Sequence, residues 1–195
     1  MRKLLKSLLE KAGLLSLVHR YREKKEINKK RVDFKKQYPD IVENYFVHPT
    51  ARLEQSELIE IGEGAEINDY VIIRTQKNKV KIGKHSQLNP FTVIYGGSGV
   101  VIGDNVMIAP HCMIASGNHD YKQTDYPMRF AGTLTKGPII IEDNVWIGAN
   151  CTITDGVRIG KEAVIAANSV VVKNVEPWAI MSGVPCIKIG SRLSD

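Results

Sequence analysis

The stretch that decides the fold runs from Ile141 to Val172 and reads "IEDNVWIGANCTITDGVRIGKEAVIAANSVVV". A branched aliphatic residue opens a unit every six positions, and a small or β-branched residue follows it four positions later. A period of six matches neither the 3.6 residues of a helical turn nor the alternation of a simple strand. It matches a short strand and a turn, repeated three times per coil. The sequence therefore predicts an all-β triangular prism of stacked parallel coils.

The same period extends towards the N-terminus as far as Ile61. One coil cannot bury its apolar face alone, so neighbouring coils must share a continuous core. The residue after each aliphatic position is often Gly or Asn, and we assign it to a tight turn. Cys112 and Cys151 fall at the inward small position, where we expect packing residues and not nucleophiles. The aliphatic series is Ile61, Ile67, Ile73, Ile82, Leu88, Ile94, Ile102, Ile108, Ile114, Ile141, Ile147, Ile153, Ile159, Ile165 and Val171.

The six-residue count breaks at three places, after Ile73, after Ile94 and after Ile114. Each break lies between the third unit of one triplet and the first unit of the next. In a triangular prism, all three insertions should therefore leave from one corner. The longest, residues 115–138, places His119 near its start. Long loops in compact domains are usually functional, although this one could instead cover the prism or pack on a neighbour.

Charge divides the chain into unequal parts. The formal net charge is +6, yet residues 1–38 hold 13 Lys/Arg against 4 Asp/Glu. Leu4, Leu5, Leu8 and Leu9 form an apolar stripe at helical spacing. We expect a short basic amphipathic α-helical segment at 1–45, a prism at 46–175 and a C-terminal tail at 176–195. The stripe is expected to dock on the prism, with peripheral contact to a membrane as the alternative.

Other classes of protein find little support in the composition. No apolar run approaches the length of a membrane span, and the three cysteines show no paired metal-type spacing. The basic segment lacks interleaved aromatic residues or a known nucleic-acid module, so no nucleic-acid partner is expected. We expect a cytoplasmic protein, with the inner face of the membrane as the place of any peripheral contact.

Several segments together resemble the left-handed β-helix acyltransferases. They are "IGDNVMIAPHCMI", the repeat from Ile141, the "SGVP" motif and the "SGNHDY" loop. Within that superfamily they are most similar to the maltose, galactoside and polysaccharide O-acetyltransferase branch. The resemblance implies a left-handed β-helix, a homotrimer, and acetyl-CoA bound as co-substrate between two prisms. The resemblance does not specify the acceptor. We expect a carbohydrate hydroxyl, on a surface polysaccharide or its precursor, because serine acetyltransferases usually carry a larger helical N-terminal domain and sugar-nucleotide N-acetyltransferases an α/β domain, and we expect no metal.

The resemblance also assigns roles to residues. His119 occupies the position of the catalytic base, and Asn89 that of an asparagine lining the acceptor site. Val172 stands where the family often has Thr, and Ile187 where it often has Arg, so the phosphate contacts differ. The resemblance places Trp146, Ala149, Ala167, Val172 and Lys173 along the cofactor groove, and Lys188 could supply charge for the phosphates. From their residue types, Tyr121, Asp125 and Arg129 in the loop could contact the acceptor, or they could equally pack the loop.

The chemistry of acetyl transfer suits a loop histidine. A neutral imidazole with a pKa near neutrality can accept the proton of an attacking hydroxyl. What orients the ring stays open between Asp120, Asp125 and a backbone carbonyl. A small non-sugar acceptor, such as an amino acid or antibiotic, and a non-catalytic scaffold are the alternatives. A zinc hydrolyase of the same fold would need converging histidines, whereas His85, His111 and His119 should leave different corners.

Overall fold

The structure is a computed structural model that describes residues 44–193. The proposed N-terminal helix, with its docking or membrane contact, lies outside these residues. Within 44–193, no helix is long and apolar enough to span a membrane. The described chain is a left-handed β-helix whose short strands form three sheets, named here faces A, B and C.

The strands follow one another from face A to face B to face C, and each pairs in parallel with its equivalents in neighbouring coils. Face A contains β1 (Phe46–Val47), β4 (Glu66–Ile67), β7 (Gln87–Leu88), β10 (Met107–Ile108), β15 (Trp146–Ile147), β18 (Val164–Ile165) and β20 (Ala179–Gly183). Face B contains β2 (Arg52–Glu54), β5 (Ile72–Arg74), β8 (Val93–Tyr95), β11 (Met113–Ala115), β16 (Thr152–Thr154) and β19 (Val170–Val171). Face C contains β3 (Ile59–Ile61), β6 (Val80–Ile82), β9 (Val100–Ile102), β14 (Ile139–Ile141) and β17 (Arg158–Ile159).

The core is the stack of aliphatic residues that the period predicts. Ile67, Leu88, Ile108, Ile147 and Ile165 are direct register partners along face A. The equivalent residues on faces B and C pair in the same way, from Ile73 to Val171 and from Ile61 to Ile159. All members of the series except Ile61 in the opening coil are buried. The hydrophobic effect thus fixes the register, since a one-residue slip would turn each aliphatic residue outward.

The small residue after each aliphatic position opens the predicted tight turn, as where the Ala65 amide donates to the Gly62 carbonyl at 3.2 Å, but its small size has a second cause. Gly62, Gly83, Gly103 and Gly148 do not have positive φ angles. They are small because the next coil lies against them: a Cβ on Gly83 would stand 2.3 Å from the carbonyl of Gly103. Glycine is therefore required here by close approach of two backbones, not by turn conformation.

Positive φ angles fall two residues later, at the corners themselves. At the corner between faces A and B, Tyr70, Phe91 and His111 have φ of 56°, 62° and 61°. Their rings stack from coil to coil, at 5.1 Å between Tyr70 and Phe91 and 5.0 Å between Phe91 and His111. The stacking compensates for a backbone region that bulky residues rarely adopt. Asn150 and Asn168 continue the row, joined by a side-chain hydrogen bond of 2.8 Å.

The three insertions do leave from one corner, between faces B and C. Neighbouring insertions are tied together, because Asn78 Nδ2 donates to the Gly97 carbonyl at 2.7 Å. The Ser98 amide donates to the Ser116 carbonyl, also at 2.7 Å. A 3-10 turn at Ser56–Leu58 occupies the same corner of the opening coil.

The C-terminal segment continues face A. β20 pairs in parallel with β18, and β21 (Cys186–Ser191) then returns antiparallel to β20. β21 is therefore the outermost strand of the eight-stranded sheet on this face. Ile187 and Ile189 are exposed on it, at 66% and 62%.

Candidate active site

The candidate site begins at the long insertion, which leaves face B after Ala115 and returns at Ile139. It contains a two-stranded antiparallel ladder of β12 (Asn118–His119) and β13 (Thr133–Leu134), with His119 opposite Thr133. A 3-10 turn at Met128–Phe130 lies between the two strands. His119 thus stands on a short piece of regular structure outside the repeat.

His119 is exposed, and its amide donates to Asn118 Oδ1 at 3.0 Å. Within residues 44–193, no hydrogen-bond partner contacts its imidazole. Asp120 Oδ1 instead accepts the Lys122 amide at 3.1 Å, and the Asp125 amide donates to Gln123 Oε1 at 2.9 Å. Neither carboxylate nor a backbone carbonyl of the described chain therefore orients the ring in a single copy.

The other loop candidates are exposed. Tyr121 is 57% exposed, and Asp125 and Arg129 also lie on the surface. The Arg129 guanidinium is 5.8 Å from the centre of the Phe130 ring. These side chains form the polar and aromatic outer surface of the insertion that carries His119.

A second group of candidates lies at the corner between faces A and B. Asn89 follows β7 there, and its Nδ2 donates to the Ile108 carbonyl of the next coil at 2.9 Å. Asn68 makes the equivalent bond to the Leu88 carbonyl at 3.1 Å, so Asn89 bridges coils as well as facing outward. Ala149 and Ala167 occupy the same corner in later coils.

The outer surface of face A carries an apolar pair next to this corner. Trp146 on β15 and Met107 on β10 are register partners, 50% and 49% exposed. Such exposure of two large apolar neighbours on a flat sheet is typical of a surface that a ligand or protein covers.

The remaining candidates for the cofactor groove lie in the last coils of the prism and on β21. Val172 and the basic residue Lys173 follow β19 at the corner between faces B and C, and both are exposed. Lys188 on β21 forms an ion pair with Glu176 at 3.0 Å. Arg192 is likewise paired with Glu162 at 2.7 Å. An incoming phosphate would have to share these two cations with their carboxylates.

Within one copy, the candidates form two groups that do not meet. The loop with His119 leaves the corner between faces B and C, whereas Asn89, Trp146, Ala149 and Ala167 line face A and its corner with face B. Face B separates the two edges. Val172 and Lys173 share the corner of the loop, but a single prism does not bring His119 against the part of the proposed cofactor groove on face A.

The three histidines that a zinc site would need do not converge. His85 lies at the corner between faces C and A, and His111 at the corner between faces A and B, so both leave edges other than that of His119, as predicted. No metal-holding group of three or more His, Cys, Asp or Glu occurs among residues 44–193. Cys112 and Cys151 are each 1% exposed. The Cys151 side chain and burial raise the pKa of Cys112 above its ordinary value, whereas the contact with Cys112 lowers the pKa of Cys151 to about 7. Burial of both side chains, and not their pKa values, is therefore what places them in the core.

The fold and the loop together define a class of protein, the hexapeptide-repeat acetyltransferases. Residues 138–173 match the family model described as "Hexapeptide repeat of succinyl-transferase". The galactoside O-acetyltransferase of Escherichia coli K12 is 34% identical over 144 residues, covering 71% of this chain and 69% of that protein. This chain therefore belongs to the hexapeptide-repeat acetyltransferase family.

Solved structures support the same assignment. AntD, an N-acyltransferase from Bacillus cereus solved with dTDP and 3-hydroxybutyryl-CoA, superimposes with a TM-score of 0.70 at 28% identity, covering 78% of this chain and 82% of AntD. A hexapeptide-repeat acetyltransferase of Vibrio cholerae complexed with acetyl-CoA gives 0.62 at 36% identity, covering 72% and 75%.

Two residues at the base of the loop were not identified from the sequence. Asp155 accepts a hydrogen bond from the Lys136 amide at 2.7 Å, and Ser98 Oγ lies 2.7 Å from Thr135 Oγ1. Only the corner position of Asp155, directly after a face B strand and followed by Gly, could have drawn attention to it.

Proposed function

We propose that this protein transfers an acetyl group from acetyl-CoA to a hydroxyl of a carbohydrate acceptor, with His119 as general base. The observation that carries the proposal is the position of His119, which stands exposed on an ordered ladder outside an otherwise regular prism. Support for the donor comes from the Vibrio cholerae relative, whose structure contains acetyl-CoA. Support for the acceptor comes from the galactoside O-acetyltransferase relative.

The reaction needs one proton acceptor and close placement of two substrates. An imidazole nitrogen of neutral His119 takes the acceptor hydroxyl proton while that oxygen attacks the thioester carbonyl. The tetrahedral intermediate then collapses, the carbon–sulfur bond breaks, and the coenzyme A thiolate leaves and takes up the proton. Holding both substrates at near-attack distance is worth about 7 to 11 kcal/mol, so the fold's main task is placement.

Placement across two prisms supports a homotrimer. The loop group and the face A group stand on different edges of one copy, and they would come together if the loop of one prism faced the Trp146 surface of the next. The exposed Met107 and Trp146 pair supplies an apolar surface for that contact. In such an assembly acetyl-CoA lies between prisms, along Trp146, Ala149 and Ala167, with Lys173 and Lys188 near its phosphates.

The proposal is tested by measuring release of free coenzyme A thiol from acetyl-CoA across a panel of acceptors. The panel contains simple galactosides and glucosides, oligosaccharides, lipid-linked sugars, nucleotide-linked sugars, serine and a macrolide. We expect turnover with at least one carbohydrate and an ester product that mild alkali cleaves. Turnover with serine or the macrolide alone would reject the carbohydrate acceptor, and thiol release with none of the panel would favour a scaffold.

A second candidate is N-acyl transfer to an amino sugar carried on a nucleotide. The observation in its favour is the similarity to AntD, an N-acyltransferase of which a mutant has been solved with dTDP-4-amino-4,6-dideoxyglucose and coenzyme A. The same base and donor would serve an amine nucleophile. The products distinguish the two reactions, because an amide survives the mild alkali that cleaves an ester.

A further inference from the structure

Asp155 is the one charged side chain among the buried residues of 44–193, at 7% exposure. It follows β16 at the corner between faces B and C. Thr75 and Ser116 occupy the equivalent place in earlier coils. Their hydroxyls donate to carbonyls of the neighbouring coil, Thr75 to Gly96 and Ser116 to Tyr95, both at 3.1 Å. Ser116 Oγ also accepts the amide of Ser98, in the insertion of the coil before it, at 3.2 Å. Asp155 does the same for the long loop with a carboxylate, since its Oδ2 accepts the Lys136 amide at 2.7 Å.

The backbone next to Asp155 holds the same part of the loop. The Gly156 amide donates to the Gly137 carbonyl at 3.0 Å. Gly156 has φ of +71°, and a Cβ there would stand 2.6 Å from the Cβ of Lys136. The returning chain is thus packed directly on the corner, at a position where only glycine leaves room for it.

A second attachment fixes the loop to the coil below. Thr135 Oγ1 lies 2.7 Å from Ser98 Oγ and also accepts the Gly137 amide at 3.0 Å. Residues 135–137 are therefore held between Ser98 and Asp155, which lie at the same corner of two different coils. Thr133, two residues before this attached segment, is the strand partner of His119.

We propose that Asp155 is a positioning residue for His119, acting through Lys136 and the β12–β13 ladder. The inference rests on the proposed role of His119 as base. A buried carboxylate is costly unless it is hydrogen-bonded, and a charge-assisted bond to a backbone amide is stronger than a neutral one. The carboxylate of Asp155 holds the long loop by a shorter bond than the Ser116 hydroxyl makes to the shorter insertion, and we attribute the acidic residue here to the need to fix the loop that carries the base.

The test is a double-mutant cycle between Asp155→Ala and His119→Ala, measured as acetyl transfer to the best acceptor of the panel. Asp155→Ala should lower kcat about 10- to 100-fold, the usual cost of a displaced catalytic group, with little change in either KM. In the His119→Ala background, Asp155→Ala should lower kcat almost no further, because the base that Asp155 positions is already absent. Asp155→Asn, which keeps an acceptor oxygen for the Lys136 amide, should restore most of kcat.

The matched control is Asp104→Ala. Asp104 Oδ1 also accepts a backbone amide of a neighbouring coil, that of Lys84 at 2.7 Å, but at the corner between faces C and A. Its loss should leave kcat near the wild-type value. Equal losses in Asp155→Ala and Asp104→Ala would overturn the inference, as would an undiminished effect of Asp155→Ala in the His119→Ala background.

Two further outcomes are separable. If His119→Ala retains most of its turnover, the proposed base is wrong, and the inference falls with it. If His119→Ala is inactive while Asp155→Ala is fully active, only the inference is wrong. Should Asp155→Ala not fold, Thr135→Val, which removes the Ser98 bond and leaves the corner intact, takes its place in the cycle and must show the same non-additivity.

Discussion

Trp146 lies directly beside Met107 on the outside of face A, as a register partner in the parallel pairing of β15 with β10. Both side chains are about half exposed, at 50% and 49%. Every aliphatic residue that the repeat places on these two strands points inward, so the pair is not needed by the core of one prism. The pair therefore offers an apolar surface to a ligand or a protein outside the prism.

The first prediction is that copies of this chain cover the pair. Light scattering should give a mass of three chains of 21.7 kDa. Met107→Lys should produce monomers, because a cation would be buried without a partner. The matched variant Val101→Lys, at a 40% exposed apolar residue of face C, should leave the trimer intact. If Val101→Lys dissociates the trimer and Met107→Lys does not, the subunit contact lies on face C and the prediction is contradicted.

The second prediction concerns the base. His119→Ala should lower turnover by about 10² to 10⁴, the usual worth of a positioned general base. Its thermal midpoint and trimer should be unchanged, since His119 is exposed and touches no core residue. His85→Ala is the matched control at another corner and should cost far less. Retention of more than about a tenth of wild-type turnover by His119→Ala would contradict the expected contribution of a base.

The third prediction tests close approach of the coils. A Cβ on Gly148 would lie 2.6 Å from the Ala167 amide nitrogen, whereas one on Gly117 meets nothing nearer than 3.9 Å. Gly148→Ala should therefore lower the free energy of unfolding by about 1 to 3 kcal/mol, as other overpacking substitutions do. Gly117→Ala should change it little. Thermal or urea unfolding of both variants measures this difference. Equal changes in the free energy of unfolding would show that the coils can move apart to accept the added methyl group.

The fourth prediction concerns the ring stack at the corner between faces A and B. Phe91→Ala removes two ring contacts, each worth about 0.5 to 1.5 kcal/mol, and leaves a residue poorly suited to φ of 62°. Phe91→Asn loses the same contacts but tolerates the left-handed conformation better. Phe91→Asn should therefore melt above Phe91→Ala. Equal midpoints would mean that stacking alone holds this corner, and the reverse order would contradict a cost of the left-handed backbone conformation there.

The fifth prediction concerns the basic N-terminal segment. If its leucine stripe docks on the prism, deletion of residues 1–20 should lower the thermal midpoint or solubility. If the stripe binds anionic lipid, deletion should leave the midpoint alone and abolish sedimentation with vesicles of phosphatidylglycerol and phosphatidylcholine. A deletion variant unchanged in all these measurements would contradict both expectations.

The sequence predicted the coil register because burial enforces it. Ile108 and Ile147 stand 39 positions apart and still pair, since only that alignment puts both side chains inside. It also predicted the corner from which the loop leaves, because a count that breaks only between triplets leaves one edge of a prism. The description of Cys112 and Cys151 as buried packing residues is confirmed by their burial.

The tight turn after each aliphatic residue was predicted correctly, but the reason for glycine there was predicted only in part. Gly83 opens a turn as expected, yet the left-handed angle falls on His85, and Gly83 is small because Gly103 lies against it. A turn and a close contact both select glycine, so residue type alone does not distinguish them. Asp155 escaped notice for a related reason. Its partner is a backbone amide of Lys136, and a backbone partner leaves no mark in the side-chain pattern.

All three insertions leave one edge of the prism, and none interrupts a strand of the stack. The part of the loop between Ser116 and Thr135 can thus change in length or sequence without a compensating change in any coil, provided that residues 135–137 still contact Ser98 and Asp155. In a scaffold of this kind, the repeated coils supply the stability and the loop supplies the reactive side chains. Changes of acceptor preference during evolution would then be concentrated in the loop. Substitutions elsewhere would be limited to those that keep the six-residue repeat.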